Sequence, residues 1–221
     1  MSMFDLLRWG PRRAEAPSPS KPSASAAATE PVISSKAFPK FLSALANQPT
    51  PAAVIDFGPV IGSNVAFLGE RLGCKLFIED LTSELNRHLT PGTMDALPDA
   101  VELRLRHGAA SVDGILCWDF FDFLKRPAAQ RVARHLVEML RPGGAMLGYF
   151  AISDVERSTF AKYEIVDDQT LRQRPHTGSG KRHAHPNREI IRMFEGLTVA
   201  ESFLLKNNSR ELLLRKKTPN S

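Results

Sequence analysis

The residues with the clearest chemical potential are acids that flank a glycine-rich turn. Asp56 opens the run DFGPVIG, in which Gly58 and Gly62 let the backbone turn without a Cβ atom. Glu79 and Asp80 follow Gly58 by 21 and 22 residues. In doubly wound folds, an acid at about this separation hydrogen-bonds the ribose hydroxyls of the cofactor. The pattern predicts a cradle for a nucleotide-type cofactor, with either Glu79 or Asp80 on the ribose hydroxyls.

A strand, a helix and a second strand must position these residues, and we predict them over residues 52–81. Val54 and Ile55 end a buried strand, and Ser63 and Asn64 open a helix whose first amides are unpaired. Ligands of open α/β sheets bind beyond the carboxyl ends of such strands. The acids and the glycines are therefore expected at one edge of a sheet.

The glycine spacing discriminates between cofactor classes. A dinucleotide site needs G-x-G-x-x-G, and Val60 and Ser63 stand where its second and third glycines would be. The spacing acid-x-G-x-G-x-G is matched by Asp56, Gly58 and Gly62, and it fails only at Val60. The turn therefore argues against NAD or FAD.

Strand and helix patterns alternate through most of the chain. They predict helices over 38–45, 82–89 and 122–140, and strands over 101–105, 111–118 and 145–151. The run 101–105 is also compatible with a helix. Such alternation means a mostly parallel sheet. Two last strands, over 197–205 and 209–215, are close enough to form an antiparallel hairpin.

Five runs carry a resemblance to a known family: VIDFGPVIGSNVAFL, LFIEDL, VDGILCWDFFDFL, LRPGGAMLGYF and LTVAESFLLKNNSRELLLRKK. Together they resemble the class I S-adenosylmethionine-dependent methyltransferases, over about residues 50–217. The resemblance implies an α/β fold with a Rossmann-like, seven-stranded, mostly parallel sheet and a C-terminal antiparallel hairpin. It also implies S-adenosylmethionine as the methyl donor, bound across the carboxyl ends of the first strands.

Site residues follow from the resemblance by position. The implied donor-binding residues are Asp56, Gly58, Gly62, Glu79, Asp80, Cys117 and Trp118. The first three would hold the methionine and ribose portion, one of the two acids the ribose hydroxyls, and the last two the reacting end. Counting without a gap favours Glu79, while Asp80 equally suits a helix N-cap.

Methyl transfer from a sulfonium is a direct displacement, so a general base is needed only if the nucleophile carries a proton. The candidate bases are Asp119, His183 and His185. Asp119 has an alternative role as the N-cap of the next helix. The two histidines could form a metal pair, but they have no nearby Cys or acid cluster. We therefore predict no metal site.

The segment 171–192 carries a net charge of +5, equal to that of the whole chain. In the resembling family this region builds the substrate pocket or lid. We predict a basic loop that contacts an anionic acceptor through Arg174, Lys181, Arg182 and Arg188. A phosphate, a carboxylate or a nucleic acid would suit that charge, although no RNA-binding motif supports nucleic acid. The alternative is a solvated, mobile loop with a flexible tip over 177–180.

Composition predicts one domain and a tail. The chain has 221 residues, 43% of them hydrophobic, and its first 35 residues are rich in Pro, Ser and Ala. We predict a disordered leader over 1–35 and a methyltransferase-like domain over 36–217. Cys74 and Cys117 follow no disulfide or zinc pattern, and no apolar run is long enough to span a membrane. A cytoplasmic protein is expected.

Two functions follow from these features. The first is an S-adenosylmethionine-dependent methyltransferase, favoured by Asp56, Gly58, Gly62 and Glu79. The second is a noncatalytic binding protein with the same fold that recruits a partner through its basic loop, and Val60 favours it because glycine is expected there.

Overall fold

A computed structural model describes residues 31–49, 51–89 and 91–218. The strands are β1 (Val32–Ser34), β2 (Ala53–Asp56), β3 (Lys75–Ile78), β4 (Val112–Trp118), β5 (Leu140–Ala151), β6 (Val155–Ile165), β7 (Thr170–Arg182), β8 (Leu197–Leu204) and β9 (Ser209–Lys216). The α-helices are α1 (Phe38–Ala46), α2 (Gly62–Val65), α3 (Leu81–Leu89), α4 (Leu97–Arg104), α5 (Arg126–Met139) and α6 (Asn187–Met193). A π-helical segment, Ala66–Arg71, continues α2, and 3₁₀ turns lie at Met94–Ala96 and Phe120–Phe123.

Six of the described strands form the main sheet, in the order β3-β2-β4-β5-β9-β8. The first four are parallel to their neighbours, whereas β9 is antiparallel to both β5 and β8. The predicted architecture, a mostly parallel sheet that ends in an antiparallel hairpin, is confirmed. The predicted count of seven strands is wrong, because the described part of this sheet has six.

The strand predicted over residues 101–105 is the missing one, since those residues belong to α4 and its end. Val101 and Leu105 are fully buried, whereas Leu103 between them is 63% exposed. In a strand all three side chains would share a face. In a helix the i and i+4 side chains share a face and the one at i+2 points away. Helix formation leaves β3 at the edge of the sheet.

A second, antiparallel sheet has the order β1-β7-β6. It corrects the prediction for the basic segment 171–192, which forms most of β7 and all but the last residue of α6 rather than a loop. Its expected flexible tip, residues 177–180, is paired with β6 through Ser179 and Gly180. Gly178 has φ 100°, and a Cβ atom there would approach the ring of Phe160 to 2.8 Å. Only glycine suits this close contact.

Helix α1 packs on β4, β5 and β9 of the main sheet, and a buried glutamate anchors it. Phe38 is fully buried in the core. Glu211 in β9 accepts the backbone N–H groups of Lys36 and Ala37, both at 3.0 Å, and the hydroxyl of Tyr149 at 3.1 Å. These bonds satisfy amides at the helix start that would otherwise lack acceptors.

The predicted leader, residues 1–35, lies outside the described residues except for 31–35. There β1 pairs with β7, so residues before the predicted domain 36–217 take part in the second sheet. Among the described residues, no helix is long and apolar enough to cross a membrane.

Candidate functional site

The carboxyl ends of β2, β3 and β4 bring predicted site residues to one edge of the main sheet. Asp56 ends β2, Trp118 ends β4, and Glu79 directly follows β3. The backbone N–H of Glu79 donates to the carbonyl of Asp56 at 2.8 Å, which joins two of these strand ends. We refer to Asp56, Gly58, Glu79 and Trp118 as the cradle.

Asp56 lies in the cradle and is fully buried. Its Oδ1 accepts the indole N–H of Trp118 at 2.6 Å and the backbone N–H of Gly58 at 2.8 Å. By distance and angle, its Oδ2 has no hydrogen-bond partner among the described residues, and the amide of Asn64, whose proximity lowers the pKa of Asp56, bonds the backbone of β6. A buried polar atom without a partner is uncommon in a folded protein and indicates a place for a further group.

The buried position of Asp56 also changes its acidity. Burial raises the pKa of Asp56 from 3.8 to about 6, although Trp118, Gly58 and the nearby Asn64 amide act in the opposite direction. Burial raises the pKa of the Cys117 thiol well above its usual value, and the charge of Asp56 adds to that effect. Cys117 is therefore a neutral thiol, while Asp56 titrates close to physiological pH.

Three stacked aromatic rings begin at Trp118, the ring that bonds Asp56. Trp118 stacks on Tyr163 of β6, with ring centroids 5.1 Å apart and planes 6° from parallel. Tyr163 also stacks on Tyr149 of β5 at 5.2 Å and 12°. All three side chains are buried, and the hydroxyl of Tyr163 donates a hydrogen bond to Asp119. Tyr163, which belongs to the second sheet, therefore packs against Trp118 of the cradle, and we call this arrangement the closed cradle.

The glycine turn has one closed and one open side. A Cβ atom at Gly58 would lie 3.1 Å from both Asp56 Oδ1 and Trp118 Nε1, whereas one at Gly62 would meet nothing within 4 Å. Val60 is 73% exposed, so its side chain does not fill the turn. The space that glycine leaves at position 58 is thus taken by the indole of Trp118.

Asn64 in α2 holds β6 over the cradle. Its Nδ2 donates to the carbonyl of Tyr163 at 2.9 Å, and its Oδ1 accepts the backbone N–H of Ile165 at 2.7 Å. Asn64 itself is buried. One side chain therefore satisfies two backbone groups of the strand that carries Tyr163.

Replacing Asn64 with alanine should lower the free energy of unfolding by about 2 kcal/mol, because two buried backbone groups lose their partner. Urea unfolding followed by circular dichroism measures the change. Asn47→Ala is the control, since exposed Asn47 bonds only the Ser43 carbonyl of its own helix, and it should cost less than about 0.5 kcal/mol. Equal losses in the two variants would contradict this role of Asn64.

The two candidates for the ribose acid differ in their surroundings. Glu79 lies between Arg104 and His107, with Oε2 3.3 Å from Arg104 Nε and Oε1 3.6 Å from His107 Nε2. Asp80 accepts the backbone N–H of Ser83 at 3.2 Å and its hydroxyl at 2.6 Å. Asp80 thus acts as an N-cap of α3, and Glu79 stays the predicted ribose acid.

A buried polar cluster follows β4, next to the cradle. Burial raises the pKa of Asp119, while Arg182 and Tyr163 act in the opposite direction. Burial also raises the pKa of Asp122 to about 7, against the effects of Arg182 and the Ala151 N–H. Arg182 in β7 forms an ion pair with Asp122. Asp119 is thus a buried carboxyl beside the cradle whose pKa lies above its ordinary value.

Backbone strain is found at the same edge of the sheet. Asp80 and Trp118 have φ values of 42° and 49°, in the left-handed region. A non-glycine residue pays about 1–2 kcal/mol for that conformation, and such strain clusters at functional sites. Its presence after β3 and at the end of β4, the strands on either side of β2, supports a functional role for this edge.

Most cations predicted to bind a substrate already have acidic partners. Arg174 lies 3.1 Å from Glu164 Oε2, and Lys181 lies 2.6 Å from Glu156 Oε1. Arg182 is paired with Asp122 as described above, and Arg188 is exposed on α6. The positive charge of this segment is therefore partly neutralised within the fold.

The predicted histidines follow β7. The Nε2 atom of buried His185 lies 3.1 Å from the carbonyl of Phe121. Burial lowers the pKa of His183, whose backbone N–H donates to the Asp122 carbonyl at 2.6 Å. In the described ranges, no group of three or more His, Cys, Asp or Glu side chains could hold a metal ion.

Three residues of the site were not predicted from the sequence: Tyr149, Tyr163 and Arg104. The only available signal was the rarity of tyrosine, since the chain has two tyrosines and both are in the ring stack. Nothing in the sequence around Arg104 indicated its ion pair with Glu79.

Comparison with known proteins gives similarity of fold. No protein-family model matches the sequence, and a search of curated proteins finds no significant match. One similar solved structure is an S-adenosylmethionine-dependent methyltransferase from Clostridium acetobutylicum ATCC 824, with 12% identity, a TM-score of 0.46, and 84% of this chain and 93% of that chain covered.

A second is the 1,6-didemethyltoxoflavin-N1-methyltransferase of Burkholderia thailandensis, with bound 1,6-didemethyltoxoflavin and S-adenosylhomocysteine. It has 17% identity and a TM-score of 0.45, over 82% of this chain and 79% of that chain. A third, the CcbJ methyltransferase from Streptomyces caelestis, has 12% identity and a TM-score of 0.47, over 81% and 95%. The order and directions of the main-sheet strands of this chain agree with the mostly parallel sheet and the antiparallel hairpin predicted from the sequence.

Proposed function

We propose that the chain is an S-adenosylmethionine-dependent methyltransferase that acts on a small acceptor. The observation that carries the proposal is the buried carboxyl of Asp56, whose Oδ2 has no partner among the described residues. It lies beside Gly58 at the carboxyl end of a parallel strand, where open α/β sheets bind their ligands. The amino group of the donor would satisfy this oxygen and would favour its ionised form.

Each cradle residue would have a distinct task. When bound, S-adenosylmethionine supplies a methyl group on a positively charged sulfur atom. Asp56 would accept hydrogen bonds from the amino group of the methionine portion, and Glu79 would accept them from the ribose hydroxyls. Asp119, whose pKa burial raises, would take the proton of an acceptor nucleophile that carries one.

The surroundings of Asp119 favour a small acceptor. Asp119 is 6% exposed and accepts a hydrogen bond from Tyr163 of the second sheet, so little space is open beside it for a large acceptor. The positive charge of the segment 171–192 gives little selectivity for an anionic acceptor, because Arg174, Lys181 and Arg182 already have acidic partners. An anionic acceptor would therefore depend on Arg188 or on the breaking of these pairs.

A specific observation favours a second candidate, a noncatalytic binding protein with the same fold. Tyr163 stacks on Trp118, which bonds Asp56, and the two oxygens of Glu79 lie near Arg104 and His107. A chain that had lost donor binding could fill its cradle in this way. The two candidates differ in whether the cradle can open.

Calorimetry with S-adenosylmethionine tests the proposal. We expect the native chain to bind the donor, and Gly58→Val to abolish binding because its side chain would meet Asp56 and Trp118, each 3.1 Å from the Cβ position. Glu79→Ala should weaken binding, and Glu195→Ala, at an exposed site, should not. No binding at millimolar donor, by the native chain or by a variant with the cradle opened, would favour the noncatalytic candidate.

A further inference from the structure

A cavity of about 520 Å³, separate from the cradle, lies along the free edge of β3. Its lining includes Ala53 and Lys75, the first residues of β2 and β3, so it opens at the amino ends of strands whose carboxyl ends form the cradle. It exists because residues 97–104 form α4 and not a further strand on that edge. Its volume is in the range of about 300–1,000 Å³ that is typical of small-molecule sites.

The charge of this cavity has one sign. Lys75, Arg106 and Arg141 line it, and no Asp or Glu of the described chain does. The three cations come from three separate segments that the fold brings together. A concave surface lined by charges of one sign attracts ligands of the opposite sign.

Hydrogen bonds to neighbouring residues fix the position of Arg141 in the wall of this cavity. Its Nη1 donates to both oxygens of Asp113, at 2.9 and 2.8 Å, and its Nε donates to the carbonyl of Ala110 at 3.0 Å. Asp113 is fully buried and also accepts the N–H of Ala53 at 2.7 Å. The guanidinium is thus fixed by a buried acid, and its Nη2 takes no part in the bonds to Asp113 or Ala110.

The other two cations also have donors left for a ligand. Arg106 is exposed and uses its Nε for the carbonyl of Leu103 at 2.8 Å. Lys75 is exposed, with Nζ 5.1 Å from the ring centroid of Phe77. The cation–π contact limits the positions of the Lys75 side chain without using its N–H donors.

The residues that line the cavity disfavour a ligand that is recognised by stacking on an aromatic side chain. His107 packs edge-on against the ring of Phe77, with centroids 4.6 Å apart, and Lys75 lies over the same ring. The aromatic surface is therefore already covered, and the cations are the groups left to recognise a ligand. Arginine and lysine donors of this kind are suited to phosphate oxygens.

We propose that this cavity binds the phosphate group of a small phosphorylated molecule. The site does not depend on methyl transfer, because none of its cations belongs to the cradle. Binding should weaken as the salt concentration rises, since Lys75 and Arg106 are exposed and their charges are screened.

Titration calorimetry of the full chain with inorganic pyrophosphate, ribose 5-phosphate and ribose tests this proposal. We expect the two phosphorylated probes to bind and ribose not to bind. Lys75→Ala combined with Arg106→Ala should weaken both interactions by at least about tenfold, because charge-assisted hydrogen bonds are lost. Arg134→Ala combined with Lys217→Ala is the matched control, since it removes the same charge from exposed positions elsewhere.

The lining variant should keep the native melting temperature, because both replaced side chains are exposed. Its affinity for S-adenosylmethionine should equal that of the native chain, which separates this proposal from the proposed function. Failure of both phosphorylated probes to bind, equal binding of ribose and ribose 5-phosphate, or equal losses in the two double variants would each overturn the proposal.

Discussion

Replacing Tyr163 with alanine is expected to raise the affinity for S-adenosylmethionine by about tenfold or more. In the closed cradle the ring of Tyr163 lies 5.1 Å from that of Trp118 and 5.2 Å from that of Tyr149. Under the proposed function, the donor reaches Asp56 through the space that this ring now occupies. Alanine removes the ring and with it the closed state.

The size of the effect follows from what the moving ring gives up. Each stacked aromatic pair contributes about 0.5–1.5 kcal/mol beyond the burial of its area. Two such pairs amount to about 1–3 kcal/mol, or about 5- to 150-fold in an equilibrium constant. When only a fraction of the molecules has an open cradle, the apparent affinity for the donor is the intrinsic affinity multiplied by that fraction. Removal of the closed state therefore restores the intrinsic affinity.

Two variants control for other effects of the substitution. Tyr163→Phe keeps both stacking contacts and loses the hydroxyl that bonds Asp119 and accepts from Gln173 Nε2 at 3.4 Å, so its affinity should rise by less than about fivefold. Phe194→Ala empties another buried site, where the ring packs on Phe121 and Phe150. It should lower stability by about 3–5 kcal/mol without raising donor affinity. Calorimetry should be run at a temperature where all variants have native circular dichroism.

The outcomes of this experiment are distinct. A gain in Tyr163→Ala alone supports a cradle that opens by displacement of this ring. An equal gain in Phe194→Ala would mean that general loosening of the fold, and not the ring, controls access. Unchanged affinity in Tyr163→Ala would show that the ring does not compete with the donor.

The cradle was predictable because its signals are local in the sequence. Asp56, Gly58 and Glu79 lie in one strand-turn-helix-strand unit, where glycine spacing and hydrophobic runs report the backbone directly. The final hairpin was predictable for the same reason, since its turn connects adjacent strands and contains Asn208 at φ 56°.

The parts that were mispredicted depend on contacts between distant segments. The run 101–105 alternates in sequence like a strand, but packing of Val101 and Leu105 into the core made it helical. Strand β7 contains one proline, two glycines and several charged residues, which locally resemble a loop. Its charges are balanced across the sheet, for example Arg172 by Glu164 at 3.1 Å, and that pairing is visible only once β6 and β7 are adjacent.

Asp56→Asn should lower the affinity for S-adenosylmethionine by about tenfold or more, because the donor's amino group loses a charge-assisted hydrogen bond. Asparagine keeps the side-chain oxygen that accepts from Trp118 and Gly58, so the cradle should keep its shape. Glu195→Gln, at an exposed position, is the matched control and should bind the donor as the native chain does. Unchanged affinity in Asp56→Asn would contradict the role proposed for this carboxylate.

The same substitution should remove one component of the pH dependence of stability. The pKa of Asp56 is about 6 in the fold and 3.8 as its ordinary value, so the folded chain holds its proton more tightly than the unfolded chain does. This stabilisation is complete below about pH 4, declines as the pH rises towards 6, and is absent above it.

Urea unfolding at several pH values measures this difference. Between about pH 4 and pH 8, the native chain should lose on the order of 3 kcal/mol of unfolding free energy relative to Asp56→Asn. Asp122 titrates in both proteins, so its contribution cancels in the comparison, and the pKa of neighbouring Cys117 lies above this range. A constant difference would mean that Asp56 does not titrate there. We predict that, relative to the native chain, Asp56→Asn gains stability at neutral pH and binds the donor more weakly. This combination would mean that the native chain keeps a destabilising buried carboxyl because the carboxyl is needed to bind the ligand.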